Sequence, residues 1–247
     1  MIKRIIDKYR VYDSGLNLLN NKIRNIDSNV DDSMSLQLLL KMFSEQSFLP
    51  LTSWSISPKE VLHICNEIVV NKRNCIVEFG SGFSTVCIAQ LLKINNIEAK
   101  FYSVESDIEW INSLKKILKS NDSEGYVEFL YSPINNISSK YALKNQEKWY
   151  DVESLQRLSC EKNIDLIVVD GPFGGLTPYS RFSAFPFLIN NLANNFSIFL
   201  DDTNRPNEKE IAEEWKKMSN IESFDYDRYT YLINKLNFDN TPFSNSK

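Results

Sequence analysis

The sequence predicts an α/β fold: a doubly wound, mainly parallel seven-stranded sheet with helices on both faces, preceded by a helical extension. Three observations carry this. Short apolar runs alternate with longer stretches of helical periodicity through the 247 residues. The run Cys75-Ile76-Val77-Glu78-Phe79 passes directly into Gly80-Ser81-Gly82-Phe83-Ser84-Thr85 and an apolar helix. Such a strand–glycine turn–helix unit is where open α/β sheets build ligand sites. Two more buried-type runs, 164–170 and 196–201, deliver acids at their ends: Asp170, and the pair Asp201 and Asp202.

Residues 1–50 read as a helical extension, with polar clusters between Asn20 and Ser35 around a helical run, Leu36 to Phe43. Its expected role is a lid or an interface with another subunit, which would make the chain a homo-oligomer. Residues 51–247 form the main domain. Ser57-Pro58-Lys59-Glu60 is a helix start, with Ser57 as N-cap, Pro58 at N1 and Glu60 at N3. Strands are expected at 75–79, 100–105, 126–131, 164–170 and 196–201, with a final pair near 222–235. Helices are expected at about 84–94, 107–120, 152–162, 178–194 and 206–219. The Asn-, Ser- and Lys-rich stretch from Pro133 to Asp151 is long for a connection and is a candidate cover for the site.

Composition excludes several classes. Hydrophobic content of 43% with 24% charged residues is that of a globular chain. A net charge of −4, a pI near 5.3 and the lack of a basic run argue against a nucleic-acid partner. Cys65, Cys75, Cys87 and Cys160 form no Cys-x-x-Cys pair and read as buried free thiols of a cytoplasmic protein. The segment starting Met1-Ile2-Lys3 lacks a signal-peptide core, and no apolar run reaches membrane-spanning length.

The glycine turn narrows the ligand. A dinucleotide cradle needs Gly-x-Gly-x-x-Gly, and here the third position is Thr85. Glu78, two residues before Gly80, sits badly beside a phosphate but suits an amino group. Lys100 to Glu105 reads as a second strand ending in an acid suited to ribose hydroxyls. An amine, a ribose and no phosphate describe S-adenosylmethionine. On these motifs, and over about Ile56 to Leu236, the chain resembles the class I S-adenosylmethionine-dependent methyltransferases, whose fold is Rossmann-like. The resemblance implies that Glu78, Gly80 and Gly82 lie along the methionine part and that Glu105 binds the ribose. Ser81, Ser84, Thr85, Ser106 and Asp170 complete the expected cofactor-binding set. It also implies an antiparallel closing strand, which Tyr229 to Lys235 can supply.

The acidic strand ends point further. In this topology Asp170, Asp201 and Asp202 converge beside the transferable methyl, where unpaired carboxylates would repel. Oxygen-only ligation suits Mg²⁺, Mn²⁺ or Ca²⁺. The arrangement resembles the metal-dependent O-methyltransferases of the catechol and macrolide-sugar types, which implies these three aspartates as ligands. The other reading is that Asp170 caps a turn with Gly171 and Pro172, and that Asp201 and Asp202 cap the helix near Pro206. The catechol type uses a Lys three residues after the first metal Asp; Phe173 stands there, so the base is unassigned. His63, the single histidine, is read as a packing or surface residue rather than a base.

Asp170 and Arg181 are the candidate catalytic residues, Arg181 either gripping an acidic group on the acceptor or pairing at a helix start. Trp54 reads as a core tryptophan, with stacking on a sugar or cofactor as the alternative. Asp170-Gly171-Pro172 with a downstream Arg is similar to enzymes that methylate sugar acids in polysaccharides. The expected activity is therefore methyl transfer to a hydroxyl oxygen of a small-molecule or glycan acceptor. The rivals are metal-free transfer to a phenol, carboxylate or amine, a silent cofactor-binding scaffold, and a nicotinamide-dependent reductase, which Thr85 disfavours.

Overall fold

The computed structural model describes residues 2–44, 48–235 and 238–243. The expected ends at Met1, Leu236 and 247 lie outside the described residues. A long helix, α1 (Ile2–Leu40), precedes α2 (Pro58–Val70), which Ser57 caps by accepting from the Glu60 N–H at 3.3 Å. Then follow β1 (Cys75–Phe79), α3 (Phe83–Ile94), β2 (Lys100–Glu105), α4 (Ile108–Ser120) and β3 (Glu128–Tyr131). A small hairpin, β4 (Ile134–Asn136) with β5 (Lys148–Tyr150), leads to α5 (Gln156–Cys160) and β6 (Ile164–Val169). The chain closes with α6 (Ala184–Leu188), β7 (Leu192–Leu200), α7 (Pro206–Met218), β8 (Glu222–Tyr226) and β9 (Tyr229–Ile233).

Seven strands form one sheet in the order β3-β2-β1-β6-β7-β9-β8. The first five run parallel, and β9 inserts antiparallel between β7 and β8. The order reverses at β1, which puts the ends of β1 and β6 at the switch point where such sheets bind ligands. Side chains alternate across the sheet. Val77, Phe79, Val104, Val169 and Leu200 pack with α5, α6 and α7 on one face. Ile76, Phe101, Leu166, Val168 and Phe199 pack with α2, α3 and α4 on the other.

Residues 20–35 are helical throughout, because Asn, Asp and Ser each cost a helix only a few tenths of a kcal/mol and no Gly or Pro interrupts them. Three local expectations are corrected. The helix expected at 178–194 shrinks to Ala184–Leu188, since Leu192 to Asn195 are drawn into β7. The long stretch after Pro133 holds the unexpected hairpin, whose Trp149 is fully buried against Phe79 and Phe187. Of the cysteines, Cys160 is exposed; the other three are buried, and burial pushes the Cys65 thiol up to about 12.

His63 is a packing residue, as read. It is buried, bonded to the Tyr229 hydroxyl at 2.9 Å and Asn240 Oδ1 at 3.0 Å, and burial lowers its pKa to about 4. Among the described residues no helix is long and apolar enough to cross a membrane.

Candidate active site

The backbones of the turns after β1 and β6 touch. Gly80 adopts φ +94, and a Cβ there would lie 2.7 Å from the Gly171 nitrogen. The Gly171 N–H donates to the Phe79 carbonyl at 2.6 Å, so the β1 and β6 turns close against each other. Gly82 is extended, with open space where a side chain would be.

Beneath the turn, Glu78 lies opposite Ser103 in the β1–β2 register, both on the face that α3 covers. Its carboxylate receives the hydroxyls of Ser84 at 2.6 Å, Thr85 at 2.5 Å and Ser103 at 2.6 Å. Thr85 Oγ1 also accepts from the Gly82 N–H at 2.7 Å. The residue that breaks the dinucleotide pattern therefore ties the glycine turn to the strand acid. Burial raises Glu78 to about 7, against the pull of its three hydroxyl donors.

Above the turn is a cavity of about 820 Å³, within the range of small-molecule sites. Gly80, Ser81, Glu105, Ser106 and Asp170 of the expected cofactor set line it. Glu78, Ser84 and Thr85 are buried below and support its floor instead of facing it. Glu105 accepts from the Ser81 N–H at 3.1 Å and from the Ser106 and Asp107 N–H groups at 2.6 and 2.9 Å. Oε2 carries only the first of these, which leaves acceptor capacity for a hydroxyl. Trp110 and Tyr150 also line the cavity; Trp110 donates to the Ser81 carbonyl at 2.8 Å.

Next to the Gly80 turn, oxygens of Asp170, Asp201 and Asp202 lie within 4.8 Å of one another. Asp202 sits at φ +62, left-handed backbone that aspartate tolerates better than most residues, and its side chain turns back into the cluster. Neither Asp201 nor Asp202 caps α7; Arg205 holds that N-cap position. A fourth acid joins them. Glu60, chosen in the sequence for its place at a helix start, is fully buried, and neither of its carboxyl oxygens has a hydrogen-bond partner of ordinary geometry. Burial and the neighbouring Asp201 push Glu60 well above the carboxylate range; burial and Asp201 do the same to Asp170.

Three arginines answer these four acids. Arg181 Nη2 reaches Asp170 at 2.9 Å and Asp202 at 3.0 Å, and Nη1 donates to the Asp201 carbonyl at 2.9 Å. Arg205 meets Asp202 at 2.9 Å. Arg228, from the β8–β9 turn, meets Asp201 at 3.2 Å and donates to the Ser55 carbonyl at 2.9 Å. Arg181 is 3% exposed, so its fork is occupied by the chain's own carboxylates instead of being presented to an acceptor. Glu60 and Asp170 are both pushed toward the protonated form, so the three guanidiniums already balance the acids that stay charged. The donor set is oxygen only, the kind that suits a hard cation.

The mouth corrects one further expectation. Trp54 is 69% exposed and meets the ring of Phe173, itself 56% exposed, at 4.9 Å between centroids. Both line the cavity beside Thr52 and Ser53. Sequence reading missed Glu60, Trp110, Tyr150, Arg205 and Arg228. Glu60 and Trp110 are masked by helix periodicity, and the others sit in segments without a pattern.

No sequence-family model and no curated protein sequence matches the chain. Its architecture is nonetheless that of known structures. It is similar to a putative caffeoyl-CoA O-methyltransferase from Staphylococcus aureus, with a TM-score of 0.55 at 13% identity over 84% of this chain and 98% of that one. It is also similar to the O-methyltransferase from Bacillus cereus in complex with SAH, with a TM-score of 0.53 at 14% identity over 83% and 89% of the two chains. An O-methyltransferase from Streptomyces achromogenes involved in tomaymycin synthesis, in complex with SAM, gives 0.53 at 12% identity over 82% and 88%. The chain has the class I methyltransferase fold, a seven-stranded mostly parallel sheet with flanking helices.

Proposed function

We propose that the protein is an S-adenosylmethionine-dependent methyltransferase acting on a hydroxyl oxygen of a small molecule, and that the acceptor is a sugar or glycan precursor. One observation carries the reading. A single cavity is lined by the glycine turn and Glu105 together with Asp170 and Asp202 of the acidic cluster. S-adenosylmethionine supplies an electrophilic methyl group on a sulfonium. Glu105 binds its ribose hydroxyls, while Gly80 and Ser81 present backbone along the amino-acid portion. Glu78 holds that turn in place from below.

The acceptor oxygen attacks the methyl carbon in line with the carbon–sulfur bond, whose electrons return to sulfur. The hydroxyl proton leaves to the acidic cluster. Asp170, Asp201 and Asp202 would hold a divalent cation. Such an ion lowers the pKa of a bound hydroxyl and fixes its oxygen. Arg181 keeps Asp170 and Asp202 together. The exposed Trp54–Phe173 pair beside Thr52 and Ser53 suits a sugar ring, with an apolar face to stack and hydroxyls to bond.

A second reading has its own support. Arg181 already bridges Asp170 and Asp202, so the cluster can stand without a metal, which favours metal-free transfer to a more acidic acceptor. The experiment is transfer of labelled methyl from S-adenosylmethionine to a panel of sugars, phenols and carboxylates, with Mg²⁺ or EDTA. Methylated sugar formed only with Mg²⁺ supports the proposal. EDTA-resistant transfer moves it to the second reading, and no methyl consumption on any acceptor sinks both in favour of a silent scaffold.

A further inference from the structure

Helix α1 carries a seam that none of the described residues covers. From Leu16 to Asp27 every described side chain is exposed; beyond it the helix docks on α2, through Lys59 with Asp31 at 2.6 Å and the buried Ser35 and Leu39. Within the free part Leu16, Leu19, Ile23, Ile26 and Val30 are 44 to 60% exposed, and they follow one another at steps of three, four, three and four. That is the a/d spacing of a coiled coil, narrower than the stripe a helix needs to lie on a globular core. The same spacing continues upstream in the sequence through Ile2, Ile5, Tyr9 and Tyr12, for four heptads in all. Leu18 lies off the seam, and Ser33 ends it where the helix meets its own domain. A helix standing in water with this much apolar surface is marginal by itself, and burial of the seam is what stabilises such helices.

The charges identify the occupant. In the same register the g positions carry Lys8 and Lys22, and the e positions carry Asp13 and Asp27. In a parallel, in-register pair each g residue faces the e residue five positions later on the partner. Lys22 then meets Asp27 of a second copy, and the spacing of Lys8 to Asp13 repeats the match. An antiparallel pair would set Lys against Lys and Asp against Asp. We infer that the protein is a parallel homodimer joined through α1, with the seam from Leu16 to Val30 of one copy packed against that of another.

Light scattering of the full chain should give twice 28.7 kDa. A monomeric mass would leave the seam to a different partner and overturn the inference, and so would a trimer or larger assembly. Leu19→Asp combined with Ile23→Asp should give a monomer that keeps the cooperative melting transition of the sheet domain; persistence of the dimer would locate the contact elsewhere. Leu19→Cys in a Cys160→Ser background should form a disulfide-linked dimer on mild oxidation, because a d residue faces its own counterpart only in the parallel register. Failure to cross-link would overturn that register. Lys22→Glu should weaken dimerisation severalfold, and adding Asp27→Lys should restore it.

Discussion

Gly80 and Gly171 press against each other across the ends of β1 and β6, with the Gly171 nitrogen 2.7 Å from where a Gly80 Cβ would stand. That contact sets the distance between the turn carrying Ser81 and the turn following Asp170. A methyl on Gly171 would run into Gly80 Cα at 2.7 Å and into the Tyr150 hydroxyl. Gly171→Ala should therefore cost on the order of 3 kcal/mol, read as a lower denaturant midpoint. An unchanged midpoint would show that the two turns have slack.

Glu78 gives a pH signature. Its carboxyl titrates at about 7 in the folded chain against an ordinary 4.5, so folding takes up a proton between those values. Its contribution to stability is full below 4.5 and is lost as the pH rises through about 7. Glu78→Gln, which can still accept from the surrounding hydroxyls, should show a flatter stability profile across that window. Equal slopes in denaturation series of the two proteins would contradict the assignment.

The strands that build the site were legible because each is a short apolar run ending at a charged or glycine residue: Phe79 before Gly80, Val104 before Glu105, Val169 before Asp170. What sits around them was less so. The β4–β5 hairpin is three-residue strands of Asn, Lys and aromatics, whose stability comes from Trp149 packing on the core and not from its own periodicity. Glu60 satisfies a helix-start pattern so well that its burial beside Asp201 leaves no trace in the sequence. Trp54 looks like any tryptophan near a helix start until the fold brings Phe173 to it. The heptads of α1 were written in the sequence, but the Asn and Asp residues between the apolar positions drew attention to polar clusters instead of the seam.

Arg181 is the internal counter-charge of Asp170 and Asp202. Arg181→Gln leaves those carboxylates without their shared partner and should destabilise the protein by about 3 kcal/mol. If the cluster takes a cation, millimolar Mg²⁺ should raise the melting temperature of this variant more than that of the parent. The absence of any Mg²⁺ response in either protein would favour the metal-free reading.

Trp54 is mostly exposed, so Trp54→Ala should change stability by no more than about 0.5 kcal/mol. Its expected effect is a raised KM for the acceptor, with cofactor affinity unchanged. A KM that does not move would remove the aromatic pair from the acceptor site.

With Glu105 and the Gly80 turn assigned to hold S-adenosylmethionine, calorimetric titration of S-adenosylhomocysteine into the parent protein should show micromolar affinity. Glu105→Ala should weaken that at least about tenfold, as loss of hydrogen bonds to a charged group does. An absence of binding heat in the parent, or an affinity that survives Glu105→Ala intact, would contradict that assignment.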